Sequence, residues 1–174
     1  VLGCPVAALR DLLYGAPGAL LAYEGGALSS AQFLTKLEAL AGGPVDEAQV
    51  IRAYTDIFTP IASTEALIRR LKPRHRLGLL SNTSPWHVTH YIQRMPTYPL
   101  FDAVTFSCGV GANKPDPRLY RDMLRQLALP AEACVYIDDI PAYAKAASAE
   151  GMHGLVYTTA EALEADLRGL GVAF

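Results

Sequence analysis

Cysteine is scarce in this chain and poorly placed for a scaffold. Its three thiols, Cys4, Cys108 and Cys134, are odd in number, far apart and without a CxxC pair. That excludes a disulfide framework and a cysteine-based zinc site, and it fits small buried hydrophobes of a reducing compartment. Cys108 and Cys134 both lie in strand-like apolar runs, where a core role is expected rather than a nucleophile. No apolar run reaches the length of a membrane span, and the opening VLGCPVAALRD has no basic n-region. The expectation is a cytoplasmic protein with no membrane partner. An excess of one charge is also missing, since 15 Lys and Arg stand against 17 Asp and Glu for a formal net charge of -2. Nothing electrostatic therefore recommends a nucleic-acid partner. What is present, 174 residues with 51% hydrophobic and 18% charged, describes a globular domain or a core with a small accessory lobe.

Hydrophobic spacing changes near Pro60. Before it, apolar residues recur at helical intervals in three sets: Val6, Leu9, Leu12 and Leu13; Phe33, Leu34, Leu37 and Leu40; Val50, Ile51, Tyr54, Ile57 and Phe58. Ser29 or Ser30 suits the start of the second helix, Gly42-Gly43-Pro44 its end, and Asp46 the start of the third. After Pro60, short apolar runs alternate with helical patterns. Strands are expected at Leu77 to Leu80, Ala103 to Cys108, Cys134 to Ile137 and Leu155 to Tyr157. Helices are expected at Ser63 to Leu71, Trp86 to Arg94, Pro117 to Leu127, Tyr143 to Glu150 and Ala160 to Leu170. The expected organisation is an all-helical segment, residues 1–60, followed by an α/β core, residues 61–174. Alternation of this kind implies βαβ units and a parallel sheet, which binds ligands beyond the carboxyl ends of its strands.

The polar residues after each strand test that rule. Leu80 is followed by Ser81-Asn82-Thr83-Ser84, hydroxyl and amide groups ahead of a helix, where backbone N–H groups favour an anion. A helix cap before Pro85 is the plainer account of the same residues. Cys108 is followed by a Gly-rich stretch carrying Lys114, and Ile137 by the adjacent carboxylates Asp138 and Asp139. A hydroxyl, an ammonium and a carboxylate pair at three successive strand ends describe a site for a phosphate and a divalent cation. Oxygen ligands suit magnesium and lysine neutralises phosphate charge.

In this order and spacing, LGLLSNTS, FDAVTFSCGVGANKPDPRLY and CVYIDDIPAYAKAASAEGMHGLVYTT resemble the second, third and fourth motifs of the haloacid dehalogenase superfamily, in its phosphatase-type branch. The resemblance covers nearly all of Pro60 to Phe174, and the helical first segment is similar to that branch's small cap. It implies a Rossmann-like parallel sheet with helices on both faces plus an all-helical cap, acting as a magnesium-dependent phosphatase on a small phosphorylated metabolite. Ser81, with Asn82 beside it, would hydrogen-bond the phosphoryl group, and Lys114 would steady the charge shared with the nucleophile. Asp139 would be the direct Mg2+ ligand, with Asp138 acting through water or by orienting its neighbour.

The family's attacking group is the first aspartate of a DxD motif after the first core strand, and this sequence contains no DxD. The resemblance places the missing strand between those ending at Leu80 and Ile137, a gap of about 10 Å, two interstrand spacings. Such a gap is not expected to stand open, because both of its edges would carry unpaired backbone groups. Three accounts follow: a longer native chain, flanking strands that close up, or a strand donated by another chain, with a homodimer among the arrangements. Gly109 stands where the family usually has an acidic residue, and Tyr143 where it often has Asn. Two other functions stay open: an inactive relative that binds a phosphorylated ligand or a protein, and a 2-haloacid dehalogenase. His87 and His90 are expected to serve a cap or helix surface, since no third ligand is near for a metal. His153 is expected to pack or face solvent. The basic run Arg69 to Arg76 is expected to be a helix C-terminus with its loop.

Overall fold

The computed structural model describes every residue except Pro17. Helices α1 Val6–Tyr14, α2 Ala19–Glu24, α3 Ser30–Ala41, α4 Glu47–Thr55 and α5 Ala62–Leu71 come first. Then follow β1 Gly78–Ser81, α6 Pro85–His90, β2 Ala103–Phe106, α7 Ser107–Val110, α8 Pro117–Leu127, β3 Val135–Asp138, α9 Pro141–Ala149, β4 His153–Val156 and α10 Ala160–Gly169. The architecture is α/β with parallel sheets. Among the described residues, no helix is long and apolar enough to cross a membrane.

The chain forms two compact units. The first gathers Val1–Thr59, Asn82–Met95 and Phe106–Asn113. Its α3 begins on a reciprocal cap: Ser29 Oγ accepts from the Gln32 amide at 3.2 Å, and Gln32 Oε1 accepts from the Ser29 amide at 2.8 Å. Gly42, at φ 80°, ends the helix in a left-handed turn that other residues adopt at a cost. The six-residue α2, between Gly18 and Gly25, is too short to show a periodic pattern in sequence. Aromatic rings fill this unit's core: Tyr23 stacks on Phe33 at 4.4 Å between centroids, and Trp86 meets both rings edge-on at 5.6 Å. His87 departs from the surface or capping role expected of it. It is buried and stacked on Tyr54 at 4.3 Å, with Nε2 3.0 Å from the Tyr54 carbonyl oxygen. A carbonyl only accepts, so Nε2 carries the hydrogen. Burial lowers the His87 pKa against the opposing pull of that carbonyl, which favours the neutral ring.

The second unit gathers Pro60–Ser81, Pro96–Thr105 and Lys114–Phe174. β1 pairs with β2, while β3 pairs in parallel with β4 in the register Val135 to His153 and Asp138 to Val156. Two apolar clusters hold helices to these strands. One joins Tyr120, Met123 and Leu127 of α8 and Ala147 of α9 to Ala103 and Tyr136. The other joins Leu67 and Leu71 of α5 and Leu163 and Leu167 of α10 to Leu77, Val135 and Leu155. Val135 and Tyr136 therefore point to opposite helical layers, as strand alternation requires. The close approach of α9 to β4 needs Gly154, because a Cβ there would lie 2.1 Å from the Ala144 carbonyl oxygen.

Several expected boundaries move. The run Ala103 to Cys108 is strand only to Phe106, and Cys108 sits in the helical turn α7, whose αL end is Gly111. Cys134 is buried just ahead of β3. The expected helix Trp86 to Arg94 is α6 plus a separate 3-10 turn at Ile92–Arg94. Of the three accounts of the missing strand, closing up of its flanking strands is not what the fold shows. β1 and β3 remain in separate pairs, and a cavity of about 430 Å³ lies along them.

Candidate functional site

Ser81 and Asp138 are the last residues of β1 and β3, so the strands themselves carry these polar groups out to their carboxyl ends. Ser81 is half-buried. Asn82, also half-buried, follows it and groups with the first unit. Lys114 stands after α7 and before α8, joined to Pro115 by a cis peptide bond.

The fold brings Lys114 and Asp138 together. Lys114 Nζ donates to Asp138 Oδ2 at 2.6 Å, and the two side chains are 9% and 7% exposed. The Tyr136 hydroxyl donates to the same oxygen at 2.6 Å, and the Ile140 amide donates to Oδ1 at 3.0 Å. Burial pushes the Asp138 pKa up, but the Lys114, Tyr136 and Ile140 hydrogen bonds outweigh it and hold the carboxyl below the usual range. Asp138 is thus an anion at neutral pH with both oxygens engaged. Asp139 follows it at an exposed position.

Two tyrosines complete this cluster, and the sequence reading missed the part they play. Tyr136 precedes Asp138 by two residues and shares its face of β3, and burial with its bond to Asp138 raises its pKa, so it stays a donor. The Y-x-D spacing on a strand was the available signal. Tyr143, on α9, lies with its ring centroid 4.8 Å from Lys114 Nζ, a cation–π distance. Its backbone carbonyl accepts from the Tyr120 hydroxyl at 3.0 Å, and burial, first among several causes, pushes the Tyr120 pKa up to about 12. Gly109, at the other position that departs from the family pattern, is exposed within α7.

Among the described residues, no three His, Cys, Asp or Glu side chains gather as a metal site. Asp138 and Asp139 offer two carboxylates, one already oriented by three donors. That set suits a hard cation that keeps waters and substrate oxygens in its shell, as magnesium does, and not a cation enclosed wholly by protein. The histidines take no part: His153 Nε2 is 3.0 Å from the Glu132 carbonyl oxygen, and His87 belongs to the aromatic core of the first unit. Two cations of the basic run have acidic partners, with Lys72 Nζ 2.6 Å from Asp102 and Arg70 bonded to Glu164.

The first unit has a cavity of its own, about 620 Å³, lined by apolar residues such as Leu9, Leu13, Phe33 and Val50. Glu24 and Tyr54 also line it, burial raising the pKa of both. Cys4 and His87 line it too, whereas Ser81, Asn82, Lys114, Asp138 and Asp139 do not.

Comparison with known proteins shows the family and the fold. The sequence model of the haloacid dehalogenase-like hydrolases matches residues 14–151. A sesquiterpene phosphatase of Aspergillus oryzae is 29% identical over 150 residues, which is 85% of this chain and 76% of that protein. A phosphatase of Mycobacterium tuberculosis is 31% identical over 115 residues, 63% of this chain and 51% of its own length. Among solved structures, a HAD-like family hydrolase of Porphyromonas gingivalis superposes with a TM-score of 0.80 at 26% identity, covering 96% of this chain and 86% of that one. A HAD family enzyme of Bacteroides thetaiotaomicron, crystallised with magnesium and inorganic phosphate, shares the fold with a TM-score of 0.75 at 18% identity, covering 87% and 84%.

Proposed function

The chain belongs to the haloacid dehalogenase-like hydrolases, and from that premise we propose that it forms the phosphate-handling part of a magnesium-dependent phosphatase acting on a small phosphorylated metabolite. The observation that carries the reading is the buried Lys114–Asp138 pair at the end of β3, with Asp139 next to it. Phosphatase relatives, and a neighbour of the same fold holding magnesium and phosphate, support the same class.

Each residue has a role in this reading. Ser81, with Asn82 after it, hydrogen-bonds the phosphoryl oxygens, and Lys114 offsets their charge. Lys114 is held in place by Asp138 at 2.6 Å and by the Tyr143 ring. Asp139 is the direct ligand of the cation. Asp138, its oxygens engaged by Lys114, Tyr136 and the Ile140 amide, orients its neighbour. When bound, Mg2+ supplies charge stabilisation to the phosphoryl oxygens. No DxD occurs within Val1–Phe174, so the residues named here bind and orient a phosphoryl group and none of them is assigned as the attacking carboxylate.

A 31P NMR titration of Val1–Phe174 with orthophosphate, with and without Mg2+, tests the site. Binding is expected to depend on Mg2+ and to weaken by about tenfold in Asp139→Ala, an exposed position where folding is preserved. Binding that ignores both would overturn the assignment. The same polypeptide should turn over p-nitrophenyl phosphate negligibly. Robust Mg2+-dependent turnover, abolished by Asp139→Ala, would show that the nucleophile lies within the chain after all.

A further inference from the structure

The cavity of about 620 Å³ in the first unit falls in the size range of pockets that enclose a small ligand, about 300–1,000 Å³. Its walls are largely apolar, with Leu13 of α1, Leu37 of α3 and Val50 of α4 among them. One acid interrupts them. Glu24, the last residue of α2, is half-buried in this lining, at the helix end that disfavours a carboxylate. Burial raises its pKa, and among the described residues neither a hydrogen bond nor a cation opposes that rise. No described lysine or arginine lines the cavity. His87 is the side chain of the lining able to turn cationic, but burial lowers its pKa and Nε2 gives its hydrogen to the Tyr54 carbonyl oxygen. Cys4, Tyr14 and Tyr54 also line the space, and burial, with Glu24 nearby, raises the Cys108 pKa. Thiols and phenols are neutral or negative and offer Glu24 no counter-charge. The backbone meanwhile fixes the acid. The Ser107 hydroxyl donates to the Glu24 carbonyl oxygen at 2.6 Å. A Cβ on Gly25 would lie 2.8 Å from Asn113 Nδ2, and one on Gly26, at φ 73°, 2.5 Å from the Cys108 carbonyl oxygen.

An apolar space holding one acid and no cation fits a ligand with an apolar body and a single positive charge. A phosphate or carboxylate would meet repulsion from Glu24 with no lysine or arginine to offset it. A neutral alcohol would fill the apolar part and leave the carboxylate without a counter-charge. We propose that the cavity of the first unit binds an apolar primary amine as its ammonium, with the carbon chain against Leu13, Leu37 and Val50 and the charge on the Glu24 carboxylate. Glu24 ionises to receive the ammonium, so binding releases a proton at pH values below the raised pKa of the free protein. A fixed acid kept in an apolar cavity is destabilising toward neutral pH, and a bound cation removes that penalty. The proposal stands on the composition of one cavity and does not depend on the phosphatase reading.

The test titrates Val1–Phe174 with n-octylammonium chloride, 1-octanol and sodium octanoate, which share a chain and differ in charge, by isothermal titration calorimetry at pH 7. Octylammonium is expected to bind about tenfold or more tightly than 1-octanol, and octanoate not to bind. Equal affinity for the ammonium and the alcohol would overturn the proposal. Glu24→Gln removes the charge at nearly constant shape. It should weaken the ammonium by about tenfold and leave 1-octanol unchanged, and ammonium binding that ignores the substitution would overturn the assignment to Glu24. Octylammonium affinity should rise with pH as Glu24 ionises and then level off, whereas Glu24→Gln should show no such rise. An equal rise in both proteins would also overturn the role of Glu24. Methyl NMR decides the place. Octylammonium should shift Leu13 and Val50 and leave Leu79 and Ile137 unmoved, and the reverse pattern would move the ligand to the second unit and overturn the proposal.

Discussion

Asp138 accepts hydrogen bonds from three donors while almost wholly removed from water, so its energetics turn on whether those donors remain. Removing one partner of a buried pair costs more than the pair itself contributes, because the other charge is left uncompensated. Lys114→Met should therefore destabilise the protein by about 3 kcal/mol at pH 7 in urea unfolding. The sign of the pH dependence follows from the lowered Asp138 pKa. Stability from this group is present above the ordinary carboxylate range and is lost as pH falls through the depressed value. The gap between native protein and Lys114→Met should thus narrow on acidification, as Asp138 takes up a proton in the variant first. A gap independent of pH would show that Lys114 acts by packing alone. Glu24 works in the opposite sense, since burial raises its pKa. Its contribution is fullest at low pH and declines as pH rises through the raised value. Glu24→Gln should match the native protein in acid and become the more stable of the two toward neutrality, as followed by Tm across the pH range.

At the scale of single elements, caps and turns were the most legible features. Ser29 with Gln32, Asp46 at the start of α4, and Gly42 at the end of α3 all lie where local chemistry places them. Such caps satisfy backbone groups within a few residues and need nothing distant. Ser29→Ala should lower stability by about 1 kcal/mol, read as a drop in the urea midpoint. Ala128 is the reverse case, a residue with a Cβ held at φ 50° to end α8. Ala128→Gly relieves that conformation and should stabilise by about 1 kcal/mol, less the added freedom of glycine in the unfolded chain. Strand ends were read less well than helix starts. The run Ala103 to Cys108 reads as one continuous strand in sequence, yet the chain turns into α7 after Phe106. Within the first unit, the Ser107 hydroxyl donates to the Glu24 carbonyl oxygen at 2.6 Å and accepts from the Thr83 amide at 2.8 Å. Those long-range bonds hold a turn that no local pattern announces.

For the molecule as a whole, the consequential feature is a sheet divided into two pairs. The apolar cavity of about 430 Å³ beside β1 and β3 should bind the dye ANS, and Leu79→Lys, which puts a charge into its wall, should lower the fluorescence enhancement. ANS fluorescence unaffected by that substitution would place the dye elsewhere, with the apolar cavity of the first unit the next site to test. The expectation that such a gap would not stand open rested on the cost of unpaired edges, and β1 and β3 nevertheless remain apart. A physical reason lies in the helical layers. α8 packs against both pairs and α5 packs with α10 on the other face, so these helices set the separation of the strands.

The sequence by itself determined the fold class, the family and the set of polar residues that strand ends carry. Alternating periodicities and turn chemistry are local, and the order of Ser81, Lys114 and the Asp138-Asp139 pair survives in one dimension. What only the tertiary structure decided is which of those groups meet. Two adjacent aspartates are equivalent as letters, yet Asp138 is buried against Lys114 and Tyr136 while Asp139 is exposed. Likewise, His87, expected on a cap or helix surface, is stacked on Tyr54. The reason is the same in each case: burial and partnership depend on residues tens of positions away, and a strand's alternation fixes which face a side chain takes without saying what lies opposite it.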